Sequence, residues 1–311
     1  MADYSRFGAP SEEWLDLIRK NPLPAIPPLL TLQQRRDFRR VSNEGRVRAS
    51  KTALKGLDSL DVAIETEAIL TRDFQEIGAR IYTPRTSNQG RSRLSVEDQC
   101  PVVLYFHGGG FFSGNLSTED AMCLRLASAC NVTVISVNYR HTPEWTYPTQ
   151  FDDAWDARCQ VLHNPKSLSL SKNIKLFVAG TSSGACLAAS LVVKERILGD
   201  VRIQGQALWT PWLCHPGTFP YHEFVSQEKS SPTQCKDAPL LPYSLVLEYA
   251  NMLNLDEEAQ ADIVANPLHC DDAIIKAMPP THILVCGNDP LRDHGMIFQK
   301  NLDRARYLMA L

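Results

Sequence analysis

The feature that most limits how this chain can fold is a short run near its middle. Leu176-Phe-Val-Ala179 reads as a buried strand, Gly180-Thr181-Ser182-Ser183-Gly184 follows at once, and Ala185-Cys-Leu-Ala-Ala-Ser190 continues as a small-residue helix. A strand that becomes a helix so abruptly needs a very sharp turn, with glycine at its flanking positions. Such a turn lifts one side chain, that of Ser182, clear of the sheet's carboxyl edge. A chance Gly/Ser turn has the same letters, so the strand before and the helix after carry the argument.

The surrounding pattern supports a sheet covered on both faces. Val102-Val-Leu-Tyr-Phe106 and Val132-Thr-Val-Ile-Ser-Val137 are continuous apolar runs, and His282-Ile-Leu-Val-Cys286 is a shorter one. Continuous runs of this kind suit central parallel strands, and the helical stretches between them (119–130, 151–163 and 183–198) predict an α/β protein. Val62–Leu70 and Ala79–Tyr82 alternate in hydrophobicity and predict an antiparallel pair. Residues 11–20 predict a helix, with Ser11 as cap and acids before bases. The prolines at 22, 24, 27 and 28 predict an extended linker, and polar residues 86–99 an exposed loop. Between 212 and 265 the alternation lapses, leaving one helical patch at 245–253. That segment is expected to fold over the sheet as a lid. Arg292–Leu308 predicts a final helix.

His107-Gly108-Gly109-Gly110 directly follows the strand ending at Phe106. Bare backbone there can approach a substrate closely, with the Gly108 and Gly109 N–H groups free to stabilise negative charge. The Ser183 N–H, next to the candidate nucleophile, is a further donor. Neither G-x-G-x-x-G nor a Walker lysine is present, so a phosphate loop is the weaker reading. Asp289 follows the His282–Cys286 strand at the sheet edge, where an acid can orient an imidazole. A helix cap is the alternative use of an acid there, and Asp293 fits that role better than Asp289.

With these motifs in place, the chain resembles the hormone-sensitive-lipase-like family of α/β-hydrolases over roughly residues 77–308. HGGGFFSG at 107–114 is similar to the family's oxyanion motif, Tyr139-Arg-His-Thr-Pro-Glu144 to its Tyr-Arg-x-x-Pro-Glu segment, and GTSSGA at 180–185 to its nucleophile motif. The resemblance implies an α/β-hydrolase fold: a mostly parallel central sheet, helices on both faces and a helical cap. Residues 1–60 would be the N-terminal cap and linker, and 61–311 the hydrolase domain with its cap insertion at about 212–265. It also implies carboxylesterase chemistry without a cofactor, Ser182 and Asp289 as catalytic residues, and an oxyanion hole from His107, Gly108, Gly109 and Ser183. Thr181 stands where the family usually has Asp, and Ala185 where a second Gly is common. Both are expected to tune packing at the turn.

The larger departure is the base. Family members carry a catalytic histidine beyond the acid, after one more helix and strand. From Asp289 to Leu311 this chain has one histidine, His294, expected at a helix start and facing solvent. His107, His141, His163, His215, His222, His269 and His282 all precede Asp289, outside the order Ser, Asp, His. Losing the base of a serine hydrolase costs on the order of 10⁶ in rate, with roughly 10³–10⁴ over water retained. A weak esterase is therefore expected of this chain as written. A small-molecule-binding protein on a hydrolase scaffold, as in the plant gibberellin receptors, and an elimination-type enzyme are the competing readings.

Composition excludes several other classes. A hydrophobic fraction of 44% with a net charge of −3 over 311 residues is ordinary for a globular chain. The near-neutral balance gives no electrostatic footprint for nucleic acid, so the expected partner is a small-molecule ester. No apolar run is long enough to span a bilayer. Nine cysteines without a C-x-x-C pair suggest reduced thiols, and with no apolar signal at the N-terminus a cytoplasmic location is expected. His269-Cys270 has no second pair at ligand spacing, so no metal site is expected. Trp212, Phe219, Tyr221, Phe224, Tyr243 and Tyr249 suit either an apolar substrate pocket or packing of the lid.

Overall fold

The computed structural model describes residues 1–23, 26–27, 31–55, 60–85, 100–170 and 172–307. Its frame is a seven-stranded sheet in the order β1-β2-β4-β3-β5-β6-β7. β1 (Val62–Leu70) and β2 (Glu76–Pro84) form the expected antiparallel pair, in register from Val62–Pro84 to Leu70–Glu76. β2 joins the rest antiparallel to β4 (Thr133–Val137), and β3 (Cys100–Phe106), β4, β5 (Ile174–Thr181), β6 (Ile203–Trp209) and β7 (Thr281–Leu284) run parallel. Sequence reading missed β6, because Ile203-Gln-Gly-Gln-Ala breaks the apolar run. Gly205 is used there for close approach: an added Cβ would lie 3.0 Å from the Phe177 ring.

The strand side chains show why both faces are covered. Val102, Leu104 and Phe106 of β3 enter one buried cluster, Val103 and Tyr105 the other. The period of two along a strand sends neighbours to opposite faces, so a continuous apolar run needs helices on both. α3 (Asp120–Cys130) supplies Cys123 and Ala127 to the cluster with Tyr105. α4 (Thr149–His163) and α5 (Ser183–Ile197) supply the other face, through residues such as Ala154, Val161, Leu187 and Leu191.

Ahead of the sheet lie α1 (Glu12–Lys20), capped by Ser11, and α2 (Leu32–Leu54). Sequence reading found α1 and not α2. The signal for α2 was Thr31-x-x-Gln34, which forms a capping box with both reciprocal bonds. After β6 come α6 (Ser231–Gln234), α7 (Tyr243–Leu253) and α8 (Glu257–Ala261), then α9 (Asp272–Lys276), β7 and α10 (Arg292–Tyr307). The polar stretch 86–99 expected as a loop lies outside the described residues, as do Pro24 and Pro28 of the linker. Among the described residues no helix is long and apolar enough to cross a membrane.

Candidate active site

The turn between β5 and α5 has the geometry its sequence demands. Ser182 sits at φ 56° and ψ −118°, a backbone conformation that costs roughly 1–3 kcal/mol and persists only where the surroundings impose it. They do so through hydrogen bonds. The Ser182 N–H donates to the Trp209 carbonyl at 2.8 Å, and its carbonyl accepts from Ala185 at 3.0 Å and Cys186 at 3.1 Å. The flanking glycines are required by contact. A Cβ on Gly180 would stand 2.2 Å from the Gly184 carbonyl oxygen, and one on Gly184 2.1 Å from that of Phe106.

The glycine loop after β3 lies against this turn. A Cβ on Gly108 would lie 2.9 Å from the Thr181 carbonyl oxygen and 3.4 Å from Ser182 Cβ. Among the described residues the N–H groups of Gly108 and Gly109 have no hydrogen-bond acceptor. Ser183 opens α5, where first-turn N–H groups lack intrahelical acceptors. Unused donors on two adjoining segments are what a developing oxyanion requires. His107 has a different position from its neighbours. Its ring is fully buried, stacks on Tyr139 at 4.5 Å and places Nδ1 3.0 Å from the Gly108 carbonyl oxygen. Burial, with His141 adding to it, holds its pKa well below the ordinary value, so the ring is neutral.

Asp289 occupies the turn between β7 and α10. Its Oδ1 accepts the Leu291 N–H at 2.7 Å, and burial pushes its pKa up to about 6. The expectation that Asp293 caps the helix is therefore corrected. Asp289 makes the cap-type bond, while Asp293 is buried inside α10, accepting from the Ser231 N–H at 2.6 Å and Arg292 Nε at 2.7 Å. His294 needs a second correction: it is 2% exposed rather than solvent-facing. Its Nδ1 accepts the Leu213 N–H at 3.1 Å, its ring lies 5.2 Å from that of Phe219, and burial lowers its pKa to about 3. The first turn of α10 packs inward against the 212–235 segment, a contact that local sequence cannot show.

A cavity of about 1050 Å³ opens over Ser182. Its walls include Phe38 and Val41 of α2, Gly109 and Gly110, Trp212, Leu245 and Tyr249 near or within α7, and Leu291 beside Asp289. None of the chain's eight histidines lines it. The aromatic question divides cleanly: Trp212 and Tyr249 face the cavity, whereas Phe219 packs on Tyr221 at 4.9 Å and Phe224 at 5.8 Å. Phe112, at the end of the glycine loop, stacks on both Phe38 at 6.3 Å and Tyr249 at 5.6 Å. It is the point where the N-terminal helix and the insertion meet the loop.

A mostly parallel sheet, a strained serine at its carboxyl edge and a glycine loop with free donors beside it are the arrangement of an α/β-hydrolase fold. An α/β-hydrolase-fold family model matches residues 103–308. The chain is 31% identical to an esterase of Mycobacterium tuberculosis, LipI, over 91% of this chain and 83% of that protein. It is 34% identical to gibberellin receptor GID1B of Arabidopsis thaliana, over 53% of this chain and 47% of the receptor. Among solved structures, an esterase of Pyrobaculum calidifontis superposes with a TM-score of 0.75 at 26% identity, covering 93% of this chain and 85% of that one. The chain belongs to the α/β-hydrolase family, in its hormone-sensitive-lipase-like branch.

Proposed function

We propose that the protein hydrolyses carboxylic esters of small apolar or aromatic molecules through an acyl-enzyme on Ser182. Ser182 Oγ attacks the carbonyl carbon as its proton passes to an imidazole base, and the N–H groups of Gly108, Gly109 and Ser183 receive the oxyanion. The C–O bond breaks as the alcohol leaves with that proton, and water then cleaves the acyl-enzyme. In this reading Asp289 orients that imidazole. The segments 1–60 and 212–265 act as a cap over the acyl or alcohol group. The observation that carries this reading is Ser182 held at φ 56° beside the Gly108, Gly109 and Ser183 N–H groups, which have no acceptor among the described residues.

A second reading rests on the absence of any histidine from the cavity wall and the likeness to a gibberellin receptor. In it the cavity binds a small molecule without turnover. Chemical rescue separates the two. With 4-nitrophenyl butyrate, slow Ser182-dependent release of nitrophenol is expected, raised at least tenfold by added imidazole acting as the base. Ser182→Ala should abolish the imidazole-dependent gain, leaving only the reaction in solution. Saturable binding of a neutral apolar fluorophore, with no Ser182-dependent release at any imidazole concentration, would instead establish the binding reading.

A further inference from the structure

Two consecutive glycines cannot hold a peptide plane by themselves. With no Cβ on either side, the Gly108–Gly109 peptide is free to rotate, and Gly109 already sits at φ +132°. An N–H that must face a developing oxyanion therefore needs a tie from outside the loop. In a trans peptide the C=O of one residue and the N–H of the next point in opposite directions. Fixing the carbonyl thus aims the donor.

The structure shows such a tie on each of the two peptides. The His107 carbonyl accepts the Tyr139 hydroxyl at 2.9 Å, which orients the Gly108 N–H. The Gly108 carbonyl accepts Arg46 Nη1 at 3.0 Å and also lies 3.0 Å from His107 Nδ1, within the loop itself; Arg46 is the tie from outside the loop that orients the Gly109 N–H. Tyr139 lies two residues beyond the end of β4, whereas Arg46 belongs to α2, outside the sheet and far away in sequence. Arg46 is itself held: its Nη2 donates to Glu119 Oε1 at 2.5 Å. Glu119 Oε2 accepts the Tyr105 hydroxyl at 3.2 Å, and that hydroxyl lies 3.1 Å from Thr181 Oγ1, one residue before Ser182. On the same face of α2, Asn43 Oδ1 accepts the Gly114 N–H at 2.7 Å, so the helix grips both ends of the loop.

We propose that Arg46 is a positioning residue of the oxyanion site. Together with the His107 ring it sets the Gly108–Gly109 peptide plane, and through Glu119 and Tyr105 it ties that plane to Thr181 and the serine turn. The oxyanion site is then complete only with α2 docked, so the N-terminal helix takes part in catalysis as well as covering the cavity. This rests on the hydrolase reading for its chemical consequence but not for its geometry. Lysine cannot replace the function fully, because one ammonium does not present the planar fork that serves the carbonyl and the carboxylate together.

The test uses the full chain, Arg46→Met and Arg46→Lys, with two probes. Phenylboronic acid forms a tetrahedral anionic adduct on Ser182 and needs the aimed N–H groups. N-phenyl-1-naphthylamine fills an apolar cavity and needs none. Arg46→Met is expected to weaken boronate binding roughly ten- to a hundredfold. Arg46→Lys should fall between it and the unchanged chain, and naphthylamine affinity should stay within about twofold in both, a ratio that a general loss of structure would not produce. Unchanged boronate affinity in Arg46→Met, or parallel loss of both probes, overturns the proposal. If the unchanged chain fails to bind boronate, the hydrolase reading fails instead. Crystal structures then decide the geometry: a rotated or doubled Gly108–Gly109 peptide in Arg46→Met upholds the tie, and an unmoved one refutes it.

Discussion

The serine end and the acid end of the same sheet edge are built in different ways. At the serine end, Ser182 is bonded to Trp209 across β6, and its flanking glycines touch backbone of β3 and α5. At the acid end, β7 is four residues long, pairs only with β6 among the described residues, and leaves Leu284 50% exposed. Asp289 there is held by a local bond to Leu291, two residues away. Arg292, whose charge acts on Asp289, is hydrogen-bonded to Asp293 and Gln234. A strained nucleophile is tolerated where the core over-determines it. At the edge, burial of the carboxyl outweighs the Leu291 N–H and the Arg292 charge that favour its ionised form, which is why the Asp289 pKa rises.

The sharpest way to break this comparison is to add one methyl at each end. Gly184→Ala drives a Cβ to 2.1 Å from the Phe106 carbonyl oxygen, inside the central strand. Neither backbone can yield, and a loss of about 3 kcal/mol or more is expected. Gly287→Ala meets the Phe7 carbonyl oxygen at 2.0 Å, which is just as close, but Phe7 belongs to a surface turn at residues 5–7 and is 43% exposed. That turn can shift, so about 1 kcal/mol is expected. Urea unfolding of both variants gives the answer, and equal losses would show that the edge is as rigid as the centre.

Acid titration sharpens the same contrast, because the buried histidines and Asp289 respond with opposite sign. His294 and His141 are both held near pKa 3 by burial, against 6.5 in the unfolded chain. The unfolded state binds their protons first, so stability falls as pH drops from about 6.5 toward 3, by up to about 1.4 kcal/mol per pH unit for each. His294→Gln should flatten this slope by one histidine's share. Asp289, raised from 3.8 to about 6, does the reverse: its contribution is most favourable below pH 4 and is lost as pH rises through 6. Asp289→Asn should therefore gain about 1–2 kcal/mol at pH 8 and nothing at pH 4. A gain independent of pH would mean that ionisation is not what the edge resists.

What was legible in the sequence follows the same division. The central strands and the serine turn could be read because their constraints are local: apolar runs, two glycines and a strand-to-helix change. The inward packing of Asp293 and His294 depends on the 212–235 segment and on how α10 approaches it, which nothing between 287 and 294 reveals. β6 was hidden by its glutamines and glycine. α2 was hidden by its arginines, which read as a solvated surface although Arg46 reaches the glycine loop. The missed residues are those whose partners lie far away in sequence.

The smallest effect is expected at the outer rim of the edge. Leu284 pairs with Trp209 on its inner side, and among the described residues its outer side meets no strand. A half-exposed leucine has little burial to lose, and a charge on an open strand edge is a device by which proteins avoid edge-to-edge pairing. Leu284→Lys should therefore change unfolding stability by less than about 0.5 kcal/mol. A loss near 2 kcal/mol would mean that β7 is covered on its outer side in solution. Asp289 would then be held from two directions, as Ser182 is, and the contrast between the two ends would fail.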